Sequence, residues 1–362
     1  MRIAILVNSL PPRSIGGAEI QAASTAVRLA ERGHEVTVFA RAVPGDTAGA
    51  ELKDGVTWVR TKTAPVPGLS FFAHILAFKR DWKKHGGPQS DVILAYQLVI
   101  NGVLGARVSQ GKIPLVSWVR SELEIESQGL KYRRLSPWVI RNSTIVLAQT
   151  KTLAEKVRGF CKEHKVPNPK VRVLPNAIAL KEEPTYDNRS GLVFLGRLVS
   201  HKGVEVLLGA LKRVSSSPRL RMLGDGPLRS ELQAKAKGLN VTFEGAVAPK
   251  DVSKALEGAR VLVSSSWTEG FPNAILEGME RGIPIVATAV GGVTDVVEDA
   301  ITGYLVKAGD EEALAAKMEL LLEDDDLWES MARAARATAE TYSWETHLQE
   351  LENVLKDAIS GT

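Results

Sequence analysis

The chain contains a single cysteine, Cys161, in 362 residues. An internal disulfide and a cysteine-cluster metal site are thereby excluded, and the chain fits a reducing compartment. No apolar stretch reaches the length of a membrane span. The run Ile3-Ala4-Ile5-Leu6-Val7 is too short for a signal peptide and is expected to form a first strand. There is no low-complexity tract and no short solenoid repeat. The G-x-G-x-x-G fingerprint is absent, which argues against a nicotinamide dehydrogenase. The loops offer neither a Ser/His/Asp set nor Asp, His and Cys at ligand spacing, so neither a protein nucleophile, a bound metal nor a cofactor is expected. The expected location is the cytoplasm, with peripheral contact at the inner membrane face as a further option.

What is present is ordinary for a globular protein: 44% apolar and 24% charged residues. The length exceeds what one hydrophobic core supports, so two domains are expected. The formal charge of +4 suits a phosphorylated substrate or an anionic surface and is too small to argue for nucleic acid. Strand-like runs alternate with helix-like ones, the signature of parallel βαβ units. A first series comprises residues 3–7, 36–40, 92–95, 114–119 and 145–148. A second comprises 192–195, 220–223, 241–244, 261–263 and 285–287. The polar, aperiodic stretch 179–188 separates them as a hinge, which gives domains of 1–178 and 179–344. From Glu311 onward the chain reads as nearly continuous helix, broken around Tyr342-Ser343-Trp344.

The most informative stretch is Glu269-Gly270-Phe271-Pro272-Asn273-Ala274-Ile275-Leu276-Glu277. It follows a buried strand and opens a helix, and open α/β sheets bind ligands at the carboxyl ends of their strands. The amides of Phe271, Asn273 and Ala274 should open that helix unpaired, while Pro272 fixes φ and carries no donor. Asn273 and Glu277 share one helix face. Carboxylates hold paired hydroxyls well and repel phosphates, so Glu269 and Glu277 suit a sugar and a ribose. Arg197 and Lys202 lie just ahead of a helix expected over 204–214. A lysine at a helix start opposes the macrodipole unless an anion sits there. Arg197 as a bidentate fork and Lys202 as a mobile charge could hold a diphosphate and stabilise it as it departs. Gly16-Gly17 permits close backbone approach at a helix start, with a simple turn as the equal alternative.

Other features favour structure over chemistry. Asp225 in Gly224-Asp225-Gly226-Pro227 marks a tight turn, a helix ends at Gly33 with His34 structural, and Asp324-Asp325-Asp326 fits a helix cap better than a metal site. Gly291-Gly292 is balanced between a structural and a ligand-approach role. The segment 71–84 combines Phe71, Ile75 and Phe78 at helical spacing with terminal cations. Core packing is its first reading and an anionic membrane surface the second.

Together these motifs resemble the retaining glycosyltransferases of family 4, whose GT-B architecture sets two Rossmann-like domains facing each other across a cleft. The similarity spans nearly the whole chain and rests on Gly16-Gly17-Ala18-Glu19, Arg197 with Lys202-Gly203, Gly224-Asp225-Gly226-Pro227 and the E-x7-E element of Glu269 and Glu277. It implies transfer of a hexose from a nucleotide-diphosphate sugar to a hydroxyl of a saccharide or lipid-linked acceptor, with retention and without metal. It further implies that Glu269 binds the donor sugar and Glu277 the ribose. The 270–273 turn, with Gly270, Phe271, Pro272 and Asn273, would meet sugar and phosphate, and Arg197 and Lys202 the diphosphate. Gly16 and Gly17 would close on it from the first domain, onto which residues 345–362 would cross back. Two departures stand out. Where many members carry a histidine after the strand ending at Ser117, this chain has Arg120 and Glu122 as candidate substitutes. The junction motif appears as Pro175-Asn176-Ala177-Ile178-Ala179, without its glycine and acid. A nucleotide-sugar epimerase or a non-catalytic glycan-binding protein on the same fold remain alternatives.

Overall fold

The computed structural model describes residues 1–11, 17–63, 70–127, 129–167 and 170–361. It divides into two compact units, Met1–Asn176 with Glu345–Thr362, and Ala177–Trp344. Each is a doubly wound α/β unit.

Unit 1 carries β1 (Arg2–Val7), β2 (Glu35–Arg41), β3 (Gly49–Lys53), β4 (Val56–Thr61), β5 (Val92–Tyr96), β6 (Leu115–Val119), β7 (Ile145–Ala148) and β8 (Val171–Val173). Their order is β3-β4-β2-β1-β5-β6-β7-β8, parallel except for β3, which runs antiparallel to β4. Unit 2 carries β9 (Ser190–Leu195), β10 (Leu220–Leu223), β11 (Val241–Gly245), β12 (Ala259–Ser264), β13 (Ile285–Thr288) and β14 (Gly303–Val306). Their order is β11-β10-β9-β12-β13-β14, and every pair is parallel. Both sheets therefore reverse direction of growth at their first strand, between β1 and β5 and between β9 and β12. A crevice opens at the carboxyl ends of the strands flanking such a reversal.

Parallel strands covered on both faces read as unbroken apolar runs, which is why β1, β7 and β13 were legible. In unit 2 the two faces feed separate cores: Leu192, Phe194, Val261 and Val263 enter one, and Val193 and Leu262 the other. The sequence reading omits β3, β4, β8 and β14. All five residues of β3 are exposed, β8 is three residues long, and neither pattern signals burial. The helix expected over 204–214 ends earlier, as Val204–Leu211.

The helix Ser70–Lys84 packs as an ordinary amphipathic element. Ile75, Phe78 and Trp82 are buried, with the Phe78 ring 5.8 Å from Phe39, while Phe72 and Leu76 stay exposed. Phe71 has no described side chain. The final helix, Trp344–Ser360, contributes its residues from Glu345 onward to unit 1. There Glu352 accepts from Arg32 Nε at 2.7 Å and lies 3.0 Å from His34 Nε2, so His34 anchors that helix. Asp324 caps the helix Asp325–Glu340, its carboxylate accepting from the Leu327 amide at 2.9 Å.

The stretch 179–188 is part of unit 2 and is tied to it closely. The buried Glu280 carboxylate accepts from the Lys181 amide at 2.8 Å and from Arg336 Nη1 at 3.0 Å. Arg336 also donates to the carbonyls of Glu280 (2.6 Å) and Lys181 (3.1 Å). Removing one member of a buried charge pair strands the other without compensation. Arg336→Met is therefore expected to destabilise unit 2 by about 3 kcal/mol. Urea unfolding followed by Trp328 fluorescence checks this, since that buried ring is carried by the same helix as Arg336; an unchanged midpoint would contradict it.

Candidate active site

The loops that leave β9 and β12 meet at the unit 2 reversal. The first runs from Gly196 through the short helical turn Ser200–Lys202 to Gly203, where the helix Val204–Leu211 begins. Gly203 has φ 59°, and a Cβ there would lie 2.0 Å from the Ser265 carbonyl oxygen, so only glycine lets the two loops touch. Ser265 Oγ donates to the Gly203 carbonyl at 2.9 Å, and the Trp267 amide donates to the His201 carbonyl at 2.8 Å. The loops are thus stitched along their length.

That stitching brings Lys202 and Glu269 together. The Lys202 ammonium is hydrogen-bonded to Glu269 Oε1, which also accepts from Ser266 Oγ at 2.7 Å. Glu269 supplies the anion that a lysine at a helix start requires. Lys202, for which a diphosphate was the expected counter-charge, has its charge matched in this structure from within the chain. Behind Glu269 lies the glycine pair of the β13 loop. Gly291 has φ 47° and a Cβ there would sit 2.0 Å from the Glu269 carbonyl oxygen, which accepts from the Gly292 amide at 3.0 Å. Gly291-Gly292 therefore serves to hold Glu269.

Arg197 is exposed and forms no ion pair among the described residues. Glu277 is half-buried on the helix Asn273–Glu280. Its carboxyl has no hydrogen bond or ion pair among the described residues, and burial together with nearby Glu280 pushes it up to about 7. A recessed acid without a protein partner is an acceptor available to a ligand.

Parts of the expected turn behave differently. The Asn273 amide donates to the Phe271 carbonyl at 3.0 Å, so it is not free, whereas those of Phe271 and Ala274 make no backbone hydrogen bond among the described residues. The Phe271 ring is buried with its centroid 6.2 Å from that of Tyr342, and Pro272 is buried as well. These two side chains pack the core, so at Phe271 and Pro272 only the backbone can face a ligand. Asp225 is structural: its carboxylate accepts from the Gly226 amide (2.7 Å) and from Arg229 Nη1 (3.2 Å). Sequence reasoning passed over Ser265, Ser266 and the half-exposed Trp267. The run of small hydroxyls after β12, where a strand's apolar pattern stops, was the available signal.

In unit 1, Gly17 is the first residue of the helix Gly17–Glu31, and Gly16 lies outside the described residues. Arg120, just past β6, is buried and stacked over Trp118 (4.8 Å) and Tyr96 (5.3 Å). Gln149 turns its amide to donate to the Arg120 carbonyl at 2.8 Å and accept from Nη2 at 3.2 Å. Arg120 Nε and Nη1 are buried with no hydrogen-bond partner, and desolvation lowers the guanidinium to about 10. Glu122, the other candidate substitute, is paired with Lys156 at 2.9 Å. The loop is held by Glu124, which was not anticipated. Its buried carboxylate accepts from the amides of Leu98, Arg120 (2.8 Å) and Ser121 (3.1 Å), while burial raises it to about 7.

Two family models match the chain: Glycosyltransferase Family 4 over residues 15–182, and Glycosyl transferases group 1 over residues 189–324. An uncharacterized glycosyltransferase of Methanocaldococcus jannaschii is 27% identical, covering 99% of both chains. Sucrose-phosphate synthase from Thermosynechococcus elongatus superposes with a TM-score of 0.84 at 20% identity, covering 100% of both chains. HepE from Anabaena, solved in complex with UDP-glucose, superposes at 0.78 and 20% identity, covering 99% of this chain and 100% of that one. With the strand order of both sheets and the paired loops at the unit 2 reversal, these matches show that the chain is a glycosyltransferase of family 4 with the GT-B fold.

Proposed function

We propose that the chain transfers a hexose from a nucleoside-diphosphate sugar to a hydroxyl acceptor, with retention and without metal, and that unit 2 holds the donor. The observation that carries this reading is that two cations and two acids follow β9 and β12 at one sheet reversal, Lys202 paired with Glu269 while Arg197 and Glu277 form no ion pair among the described residues. HepE, on the same fold, is bound to UDP-glucose. Arg197 and Lys202 bind the diphosphate, Glu269 the sugar hydroxyls, and Glu277 the ribose. The backbone of the turn contributes the amides of Phe271 and Ala274. Gly17 and Arg120 belong to unit 1, where the acceptor binds. A lipid-linked acceptor would bring the chain to an anionic membrane surface, where exposed Phe72 and Leu76 lie on one helix with Lys83 and Lys84.

The Lys202–Glu269 ion pair gives the mechanism an exchange step. An arriving diphosphate draws Lys202 from Glu269, and the released carboxylate accepts from the sugar. As the glycosidic bond breaks, negative charge grows on the departing phosphate oxygen and is met by Arg197 and Lys202. That oxygen, on the face from which the acceptor approaches, takes the acceptor's proton. No step requires a protein nucleophile.

Arg197→Ala and Lys202→Ala are each expected to lower turnover by about a hundredfold, the typical cost of one charge-stabilising donor. Steady-state assay with a panel of nucleoside-diphosphate sugars tests this. A folded variant working at the wild-type rate would refute the diphosphate assignment.

The two acids should fail differently. Glu269→Gln removes the competitor for Lys202, so free nucleoside diphosphate should bind it at least as tightly as wild type while turnover falls. Glu277→Gln should chiefly weaken diphosphate binding. Because the free Glu277 carboxyl titrates at about 7 and the ribose is held by the carboxylate, affinity should rise with pH through that value. The Gln variant should lose this part of the slope. Calorimetry across that range decides, and the opposite pattern in the two variants would exchange the sugar and ribose ends of the motif.

Transfer should persist in excess chelator, because no group of three or more acidic, His or Cys side chains among the described residues could hold a metal ion. Complete loss on chelation, restored by magnesium or manganese, would rule out this mechanism.

A further inference from the structure

The sheet reversal of unit 1 presents a second site with its own electrostatics. The carboxyl ends of β1 and β5 are joined there by Asn8 Nδ2 donating to Gln97 Oε1 at 2.5 Å, and Asn101 Nδ2 donates to the Tyr96 carbonyl at 2.6 Å. Beside these residues lies a pocket of about 580 Å³, lined in part by Asn8, Ser9, Arg41, His74, Asn101 and Lys131. Its asparagines are engaged with neighbours, whereas its two cations form no ion pair among the described residues. Arg41 and Lys131 are exposed, and Lys131 Nζ lies 5.8 Å over the Tyr132 ring. Ser9 is nearly buried, and its hydroxyl has no hydrogen bond among the described residues.

His74 is the most telling member. It is 7% exposed, and its Nδ1 is 2.9 Å from Thr63 Oγ1. Burial and the nearby Arg41 lower its pKa, so the ring is neutral near pH 7. In the tautomer in which the Thr63 hydroxyl donates to Nδ1, the ring proton lies on Nε2, which has no partner among the described residues. Two cations, a neutral imidazole donor and a hydroxyl thus share a pocket whose described lining contains no carboxylate.

We propose that this pocket recognises a phosphate group, and that the acceptor of the transfer reaction carries that phosphate, as a sugar phosphate or as the headgroup of a lipid. The acceptor assignment rests on the proposed function, whereas the phosphate site stands on the pocket alone. Arg41 supplies a fork for two phosphate oxygens, Lys131 a mobile charge, and His74 Nε2 a fixed donor that aims the group. A neutral saccharide would leave both cations without a counter-charge.

The test is calorimetric titration of the full-length chain, saturated with uridine diphosphate, against glucose 1-phosphate and against a short-chain phosphatidic acid. Wild type should bind with one saturable site. Arg41→Ser and Lys131→Ser, both at exposed positions, should each weaken binding about tenfold or more, the usual size of a hydrogen bond to a charged group. Tighter binding of the lipid identifies a lipid headgroup as the source, and equal or weaker binding a soluble phosphate ester; both support the site. Absence of saturable binding, or binding unchanged in the Arg41/Lys131 double variant, overturns it. Failure of uridine diphosphate to bind would count against the donor reading, and the phosphate titration remains interpretable without it.

Discussion

The position of Glu269 is the constraint on which the unit 2 site depends. Its backbone is fixed by the Gly292 amide and by a glycine at 291 that allows the approach. Its side chain is fixed by Ser266 and Lys202. Lys202 in turn stands one residue ahead of Gly203, whose own contact with the Ser265 carbonyl registers the β9 loop against the β12 loop. A lysine at this helix entrance would weaken the helix if its charge were unmatched. Glu269 removes that cost in the free protein. Any ligand that takes Lys202 must therefore bring its own negative charge, and this favours a diphosphate over a neutral molecule before any base or sugar is contacted.

Two recessed carboxylates with similar titration show how burial can serve opposite ends. Glu124 and Glu277 are both pushed up to about 7 by desolvation. For each, the folded value lies above the unfolded one. Its contribution to stability is thus complete below the unfolded value and is lost as pH rises through about 7. Glu124 receives three backbone amides in return, which fix the loop after β6 around Arg120. Glu277 receives nothing from the protein. A group that destabilises the free fold while making no internal bond is poised for an external partner.

Much of this was legible in the sequence because parallel strands announce themselves as apolar runs and their carboxyl ends locate the site loops. Glu269, Glu277, Arg197 and Lys202 all fell out of that rule. The Lys202–Glu269 pair did not, since nothing in a linear pattern places residue 202 beside 269; the contact exists only because β9 and β12 are neighbours in the sheet. The burial of the Phe271 ring was not legible for a related reason: its packing partner, Tyr342, arrives from a distant helix end. Glu124 was invisible because an acid in the run Glu122-Leu123-Glu124-Ile125-Glu126 resembles a solvated face. Its burial follows from amides that the chain collects from Leu98 as well as from its own loop.

The two sheets share a core order, β4-β2-β1-β5-β6-β7 in unit 1 and β11-β10-β9-β12-β13-β14 in unit 2, yet arm their reversals differently. Unit 2 sets cations against acids, and unit 1 sets cations against amides and an imidazole. Cations alone would draw phosphates to both reversals without distinction. The acids break that symmetry: a phosphate monoester that met Arg197 and Lys202 would also face Glu269 and the ionised form of Glu277, while a diphosphate joined to a sugar and a ribose offers those acids hydroxyls to accept from. Under the proposed function, the carboxylates that hold the donor's neutral ends are also what turns a phosphorylated acceptor away from the donor's place. Selectivity between two phosphate-bearing substrates then follows from where the acids are, with no need for either site to differ in its affinity for phosphate itself.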